Sequence, residues 1–303
     1  MDNELILIDR LDMIQKVIKK YGEKNFYVSF SGGKDSTILH YLIDIALPNN
    51  EIPRVFINTG IEYLDMVRHV KELSKKDERI IIVNSNVKIK SMLEKYGYPF
   101  KSKEHAHKVA TYQNSGYGKT IKAYVEGVRE NKEKSFIKCP NKLKYQFTNK
   151  CKLKISDKCC DKLKKEVAKR YQKREQKSIA ILGTRIAEGG TRRQHKGCTV
   201  FDKDNNLKIF KPINPCTNEW CEWFIEEYGI KLCKLYYPPY NFKRTGCAGC
   251  PFALDIQNQL ATMEKLLPID FKRSQMIWAP VYKEYRRLGY RLNSYQQLTI
   301  FDD

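Results

Sequence analysis

The chain has no apolar stretch long enough to cross a bilayer, and charge soon interrupts the residues after its acidic opening, Met1-Asp2-Asn3-Glu4. Neither a membrane span nor a secretory leader is expected, and the predicted compartment is cytoplasmic. Internal repeats and low-complexity linkers are also lacking, which favours a domain carrying an insertion over a string of separate modules. Acidic residues are outnumbered, 35 against 56 lysines and arginines. The net charge of +21 favours an anionic partner, nucleic acid first or an acidic protein. A solvated, lysine-rich surface accounts for the same number, and abundant Lys and Tyr beside only 11 Pro fit that account.

A length of 303 residues suffices for one sizeable α/β core with an appended subdomain. In a reducing compartment the ten cysteines are expected as metal ligands, redox groups or buried small residues rather than disulfides.

Residues 5–21 carry apolar side chains at helical spacing (Leu5, Ile8, Leu11, Ile14, Ile18) and stop at Gly22. Apolar runs at 26–28, 54–59, 79–84 and 178–183 predict strands, with helices over 37–43 and 63–75 between the first three. A further strand fits 208–213 and a helix fits 220–228. Strands alternating with helices spell a doubly wound parallel sheet, whose ligand crevice lies at the carboxyl ends of its strands. The interval before the fourth strand, about residues 99–177, is an expected helical insertion. From 142 to 177 it is dense in lysine and interleaved with Tyr145, Phe147 and Tyr171. That stretch fits a surface that tracks phosphates and stacks a base, and it fits a solvated helix face equally well. His105 and His107 are expected to be solvated loop residues. The expected divisions are 1–24, an N-terminal helix; 25–215, the nucleotide-binding domain; and 216–303, a C-terminal subdomain bearing Cys247-x-x-Cys250.

The first predicted strand runs into Ser29-Phe30-Ser31-Gly32-Gly33-Lys34-Asp35-Ser36. Strand, glycine turn and helix start make an anion site, because glycines admit close backbone approach and the first helical N–H groups point outward. It is not a Walker A loop, which places a Gly where Val28 stands and Ser or Thr where Asp35 stands. The residues instead resemble the Ser-Gly-Gly-x-Asp-Ser loop of the PP-loop ATP pyrophosphatases. That resemblance implies an adenine nucleotide alpha hydrolase-like fold and ATP with Mg²⁺, with Ser29, Ser31, Gly32, Gly33, Lys34 and Ser36 holding phosphates and Asp35 holding the metal. Thr59-Gly60-Ile61-Glu62 resembles the Asp-Thr-Gly turn beside the nucleotide in PAPS reductases, with Asn58 in place of the acid.

Cys159-Cys160 and Cys247-x-x-Cys250 resemble the cysteine set that holds a 4Fe–4S cluster in assimilatory APS reductases. As in that family, a basic helix, a strand and Gly183-x-Arg185…Thr191-Arg192 follow the tandem pair. The resemblance implies that Gly183, Arg185, Arg192 and Arg193 meet the anion, since guanidinium grips oxyanions bidentately. Four thiolates also suit zinc, although adjacent cysteines are unusual for it. Cys139, Cys151, Cys198, Cys216, Cys221 and Cys233 are expected to be buried, with room for one persulfide carrier.

No cysteine follows Cys250, whereas sulfonucleotide reductases attack with a cysteine in the C-terminal tail. With the ATP loop intact, the expectation is an AMP- and pyrophosphate-forming enzyme. It would be coupled to iron–sulfur-assisted sulfur transfer onto nucleic acid, fed by a donor such as a cysteine desulfurase. A PAPS or APS reductase and a non-catalytic nucleotide- and nucleic-acid-binding module are the alternatives.

Overall fold

The computed structural model describes residues 2–128, 138–189 and 197–294. The chain divides into two compact units, residues 1–85 with 166–246, and residues 86–165 with 247–303.

The first unit opens on α1 (Asn3–Tyr21), capped by Asp2, whose carboxylate accepts from the Glu4 N–H. Its buried face is Leu7, Arg10, Ile14 and Ile18, while Leu5 and Ile8 of the predicted stripe face solvent. The chain then forms β1 (Phe26–Phe30), α2 (Lys34–Ala46), β2 (Arg54–Asn58), α3 (Leu64–Ser74) and β3 (Ile80–Asn84). After the second unit's first segment come α8 (Glu166–Arg174), β4 (Ile179–Ile181), β5 (Thr199–Phe201), β6 (Leu207–Phe210) and α9 (Asn218–Glu227).

The six-stranded sheet has the order β3-β2-β1-β4-β6-β5. All neighbours are parallel except β5 with β6. The expected α/β doubly wound sheet is therefore present, with one antiparallel edge strand that sequence periodicity did not predict. The chain leaves β1 toward β2 and β3, then returns to β4 on β1's other side. The strand order reverses between β1 and β4, and such reversals open a crevice at the strands' carboxyl ends.

The core beneath the crevice joins α1 and α2 to the sheet and to α9, through residues such as Ile14, Ile43, Phe26, Ile181, Trp220 and Phe224. This packing sets the division of the chain. Residues 216–246 were expected with the C-terminal subdomain and residues 1–24 by themselves. Both group with the sheet because Trp220, Cys221 and Phe224 bury in the same core as Ile14 and Ile18.

The second unit contains α4 (Ile89–Tyr96), α5 (Lys103–Ser115), α6 (Lys119–Glu126), the short turn α7 (Lys158–Cys160), α10 (Ile256–Leu266) and α11 (Pro268–Leu288). A π-helical turn, Asp161–Lys165, follows α7, so the expected basic helix is not regular α-helix throughout. His105 is a correction: it lies fully buried on α5, not in a loop. Ser102 caps that helix, and the imidazole is held between Tyr124 Oη (2.9 Å) and Gln146 Oε1 (2.7 Å). His107 is exposed, as expected. The aromatics of the lysine-dense stretch fit neither of its two readings, a base-stacking surface or a solvated helix face. Phe147 and Tyr171 are core residues, and Tyr145 donates its hydroxyl to Glu284.

Candidate functional site

The glycine loop leaves β1 and enters α2 three residues earlier than periodicity suggests, with Gly33 as N-cap, so Lys34 and Asp35 sit in the first helical turn. Gly32 has φ +69°, and a Cβ there would lie 2.6 Å from Met66 Sδ and 2.7 Å from Val70 Cγ2. Only glycine permits this turn to lie flat against α3. The serines hold the loop from within. Ser31 Oγ and Ser36 Oγ are 2.9 Å apart, and Ser36 Oγ donates to Gly33 O at 3.0 Å. The Gly33 N–H is 3.3 Å from Ser31 Oγ. Ser29 lies in β1 opposite Val55.

Gly183, at the carboxyl end of β4, meets this loop across the switch point. A Cβ on Gly183 would come within 2.9 Å of Asp35 O. Two residues on, Arg185 turns inward, with only 3% of its surface exposed. Its Nε donates to Asp35 Oδ1 at 2.8 Å, and one terminal nitrogen donates to Asn218 Oδ1 (3.1 Å) and Cys216 O (3.3 Å). The structure thus brings the predicted residues Asp35 and Arg185 together, as an ion pair at the end of the crevice. Burial alone would lower the guanidinium's pKa, but Cys221 and Asp35 more than offset it. Arg192 and Arg193 lie outside the described residues.

Thr59 and Glu62 close their own turn: the Thr59 N–H and hydroxyl both reach the Glu62 carboxylate at 2.9 Å. Gly60 takes φ +83°, and its N–H is 3.2 Å from Asn58 Oδ1, so Asn58 fills the acceptor role an Asp would have at that point. Lys34 Nζ is 3.7 Å from Glu222, at the rim of a cavity of about 320 Å³ lined also by Tyr236, Tyr237, Phe242 and Lys243.

In the second unit Cys159, Cys160, Cys247 and Cys250 lie close enough to alter one another's ionisation. Cys159 Sγ is 4.0 Å from Cys160 Sγ and donates to it. Accepting that bond lowers the Cys160 thiol below its ordinary value, with Lys103 and Lys164 assisting against burial. Cys159 is pushed up by donating the bond and by burial. Burial pushes Cys250 up to about 12.

The Cys247-x-x-Cys250 turn hangs from α11 and the segment after it. Trp278 Nε1 donates to Ala248 O (3.0 Å), Tyr282 Oη to Gly249 O, and Tyr285 Oη to Pro251 O (2.8 Å). Arg291 adds a bond to Pro251 O at 2.9 Å. These donors satisfy the turn's carbonyls and leave its sulfurs to face Cys159 and Cys160. The donor set is all thiol, with lysines beside it, which suits a soft, negatively charged metal centre. Among the described residues, no three cysteine sulfurs lie within 4.8 Å of one another. Of the remaining cysteines, Cys139, Cys216, Cys221 and Cys233 are buried, while Cys151 and Cys198 are partly so.

Sequence reasoning missed Tyr236, Thr245 and Asn218 in the first unit. Tyr236 Oη accepts the Lys34 N–H at 3.1 Å and lies 2.7 Å from Thr245 Oγ1. Nothing local in the sequence marks these residues. The Trp278, Tyr282 and Tyr285 brace was detectable, as an aromatic stripe at i, i+4 and i+7 of a helix.

A family model described as the phosphoadenosine phosphosulfate reductase domain matches residues 25–141 and 137–253. An uncharacterised protein of Methanocaldococcus jannaschii is 25% identical over 93% of this chain, which spans only 55% of that protein's length. Among solved structures, the phosphate complex of the PAPS reductase of Candida auris is 12% identical, covers 78% of this chain and 93% of its own, and has a TM-score of 0.42. The U34-tRNA thiolase NcsA of Methanococcus maripaludis, with its 4Fe–4S cluster, is 14% identical, covers 99% of this chain and 84% of its own, and scores 0.42. The FMN adenylyltransferase of Candida glabrata, with FAD and pyrophosphate, is 12% identical over 82% of this chain and 63% of its own, with a score of 0.48.

Proposed function

Because the chain belongs to the phosphoadenosine phosphosulfate reductase domain family, we propose that its first unit splits ATP to adenylate a nucleic-acid acceptor, which then receives sulfur. The observation that carries this reading is the intact loop from Ser31 to Ser36. Its glycine turn opens at the switch point onto the first turn of α2, with Lys34 and Asp35 already on the helix. Backbone N–H groups and Lys34 there would hold the β- and γ-phosphates.

An acceptor oxygen attacks the α-phosphorus, the bond to the bridging oxygen breaks, and pyrophosphate leaves with its Mg²⁺ while the acceptor's proton passes to solvent. Asp35, oriented by Arg185, would hold the Mg²⁺ of Mg-ATP. Gly183 admits the loop's close approach, and Thr59 and Gly60 form a rigid turn at the end of β2. Arg192, carried over from the family's motif, is the anion clamp that remains once Arg185 is committed to Asp35. A persulfide from a donor such as a cysteine desulfurase then attacks the activated acceptor atom, whose bond to oxygen breaks as AMP leaves, and a thiol reduces the resulting disulfide to free the donor.

Cys159, Cys160, Cys247 and Cys250 would hold a 4Fe–4S centre, which supplies a thiophilic metal site or electrons when bound. Zinc is the rival for four thiolates, but its ligands generally come as spaced pairs, and the adjacent Cys159 and Cys160 favour the cluster.

The test is anaerobically reconstituted protein with Mg-ATP and nucleic acid. Release of AMP and pyrophosphate is expected, and no release would refute the reading. The family match favours a second reading, a sulfonucleotide reductase; sulfite released from PAPS or APS with a thiol donor would establish it. ATP binding without turnover would mark a sensing module. For the metal, Cys247→Ser should abolish a visible absorbance band, whereas stoichiometric zinc without iron would overturn the cluster.

A further inference from the structure

The second unit has a concave surface that the proposed chemistry leaves unassigned. It is a groove of about 410 Å³ between the end of α4, α5 and the extended segment that leads into Cys159. Lys95, Lys152, Lys154 and Lys158 line it together with Tyr96, Gln113, Asn114 and Ser156, and no carboxylate is among the lining residues. Two acids flank Lys158 in the chain: Asp157, whose Oδ2 is 3.5 Å from His107 Nδ1, and Asp161, 4.0 Å from Lys158 Nζ.

The groove is firmly built. Gln113 clamps its two sides, donating to Leu153 O at 2.8 Å and accepting from the Ile155 N–H at 3.1 Å. The strand-like bridge between Tyr98 and Ile155 closes its base. Lys154 Nζ donates to Lys95 O at 2.5 Å, so that lysine is partly structural. Lys95 Nζ and Lys162 Nζ stand 5.4 and 4.8 Å from the Tyr96 ring centroid, which gathers charge at the rim through cation–π attraction. Lys95, Lys152 and Lys158 remain exposed.

We propose that this groove binds the phosphate backbone of the nucleic-acid acceptor, adjacent in the chain to Cys159 and Cys160. The inference deepens the proposed function and rests on its nucleic-acid acceptor. Several ammonium groups in a concavity with no carboxylate in its lining match a run of phosphates, each contact releasing condensed counterions. The position also suits the chemistry, since Lys158 directly precedes the cysteine pair. Bound there, an acceptor strand lies against the same unit that carries the thiols. The groove offers no free aromatic face, because the Tyr96 ring is occupied by lysines, so backbone tracking rather than base reading is expected.

The experiment measures binding of a fluorescent single-stranded RNA and a matched DNA to the full-length protein by anisotropy over a range of salt. Binding is read without ATP, so it stands or falls independently of AMP release. The variant Lys95→Gln/Lys152→Gln/Lys158→Gln leaves the partly structural Lys154 in place. Losing three phosphate contacts should reduce the slope of log K against log salt by about 2, from about 0.7 per contact on a single strand. A control with the same charge change, Lys265→Gln/Lys272→Gln/Lys283→Gln on α10 and α11, should keep the parental slope. Equal slopes in the two variants would overturn the proposal. So would a polyglutamate peptide binding through these lysines while neither oligonucleotide binds. Circular dichroism and melting of both variants confirm that a lost slope is not lost folding.

Discussion

The pair Arg185–Asp35 yields the sharpest prediction, because two roles for the same arginine lead to different energetics. If Arg185 met a phosphate directly, its loss would weaken ATP binding whatever stood at position 35. In the structure it instead holds Asp35 Oδ1 at 2.8 Å while also serving Asn218 Oδ1 and Cys216 O. Removing one partner of a buried ion pair costs about 3–5 kcal/mol, largely because the other charge is left without compensation. The Arg185 side chain is 4% exposed but Asp35 is 23% exposed, so solvent relieves part of the penalty. Arg185→Met should therefore destabilise the first unit by about 3 kcal/mol.

Asp35→Asn keeps a hydrogen-bond acceptor and should cost less, about 1–2 kcal/mol. In the double variant the two losses overlap, and the expected coupling is about 1–2 kcal/mol. Native-state hydrogen exchange at the amides of β1 and β4 measures this locally, without assuming that the whole chain unfolds in one step. ATP affinity should fall in either single variant and fall little further in the double. Losses that add within about 0.3 kcal/mol, with an ATP defect confined to Arg185→Met, would refute the positioning role and restore the direct clamp.

Burial holds His105 at about 4, against an ordinary value of 6.5, with Lys101, Arg291 and Lys108 assisting and the Gln146 hydrogen bond opposing. An unfolded imidazole takes its proton first as pH falls, so the second unit should lose about 3 kcal/mol between pH 6.5 and 4. An NMR titration placing His105 near its ordinary value would contradict this. Gly249→Ala should release the thiol turn. Gly249 has φ +61°, and a Cβ there runs into Tyr282 Oη and lies 2.7 Å from Ser274 Cβ. A left-handed Ala costs about 1–2 kcal/mol before any clash, so iron retention after gel filtration should drop sharply, and unchanged retention would count against the brace. Tyr236→Phe removes the acceptor of the Lys34 N–H; exchange at that amide should quicken by about fivefold, for about 1 kcal/mol, and an unchanged rate would show that the contact contributes nothing.

How far the sequence was readable followed from where each residue's partners lie. β1, β2 and β3 were legible because each is an apolar run bounded by turn residues and paired in a parallel sheet, although β3 at the edge is only half-buried. β5 was not, since Thr199–Phe201 are partly or fully exposed and their pairing comes from β6 across a turn closed by Asp202. His105 was misplaced although a local cue existed, for Ser102 accepts from its N–H as a helix cap. The burial of Phe147 and Tyr171 was not read because the lysines around them hide its period. Tyr171 packs at 5.6 Å from Tyr27 in the sheet core, a contact between residues far apart in the chain.

The site divides along the same line. The loop from Ser31 to Ser36 is contiguous, so the order of its residues is enough to assign its glycines and hydroxyls to one turn. Arg185 could be placed at the crevice, but its burial depends on Asn218 and Cys216, which no motif ties to it. The thiol site shows both conditions at once. Its cysteines advertise themselves by spacing, yet what aims them is a stripe of Trp278, Tyr282 and Tyr285 whose polar tips meet three carbonyls of the turn. An aromatic stripe on a helix usually signals core packing alone. Here the same stripe both fills a core and supplies the donors that a tight turn of carbonyls requires, which is why α11 and the cysteine pair before it belong to one unit. A change to any of these three tips that preserves the ring should therefore loosen the turn of Cys247 and Cys250 before it loosens the fold.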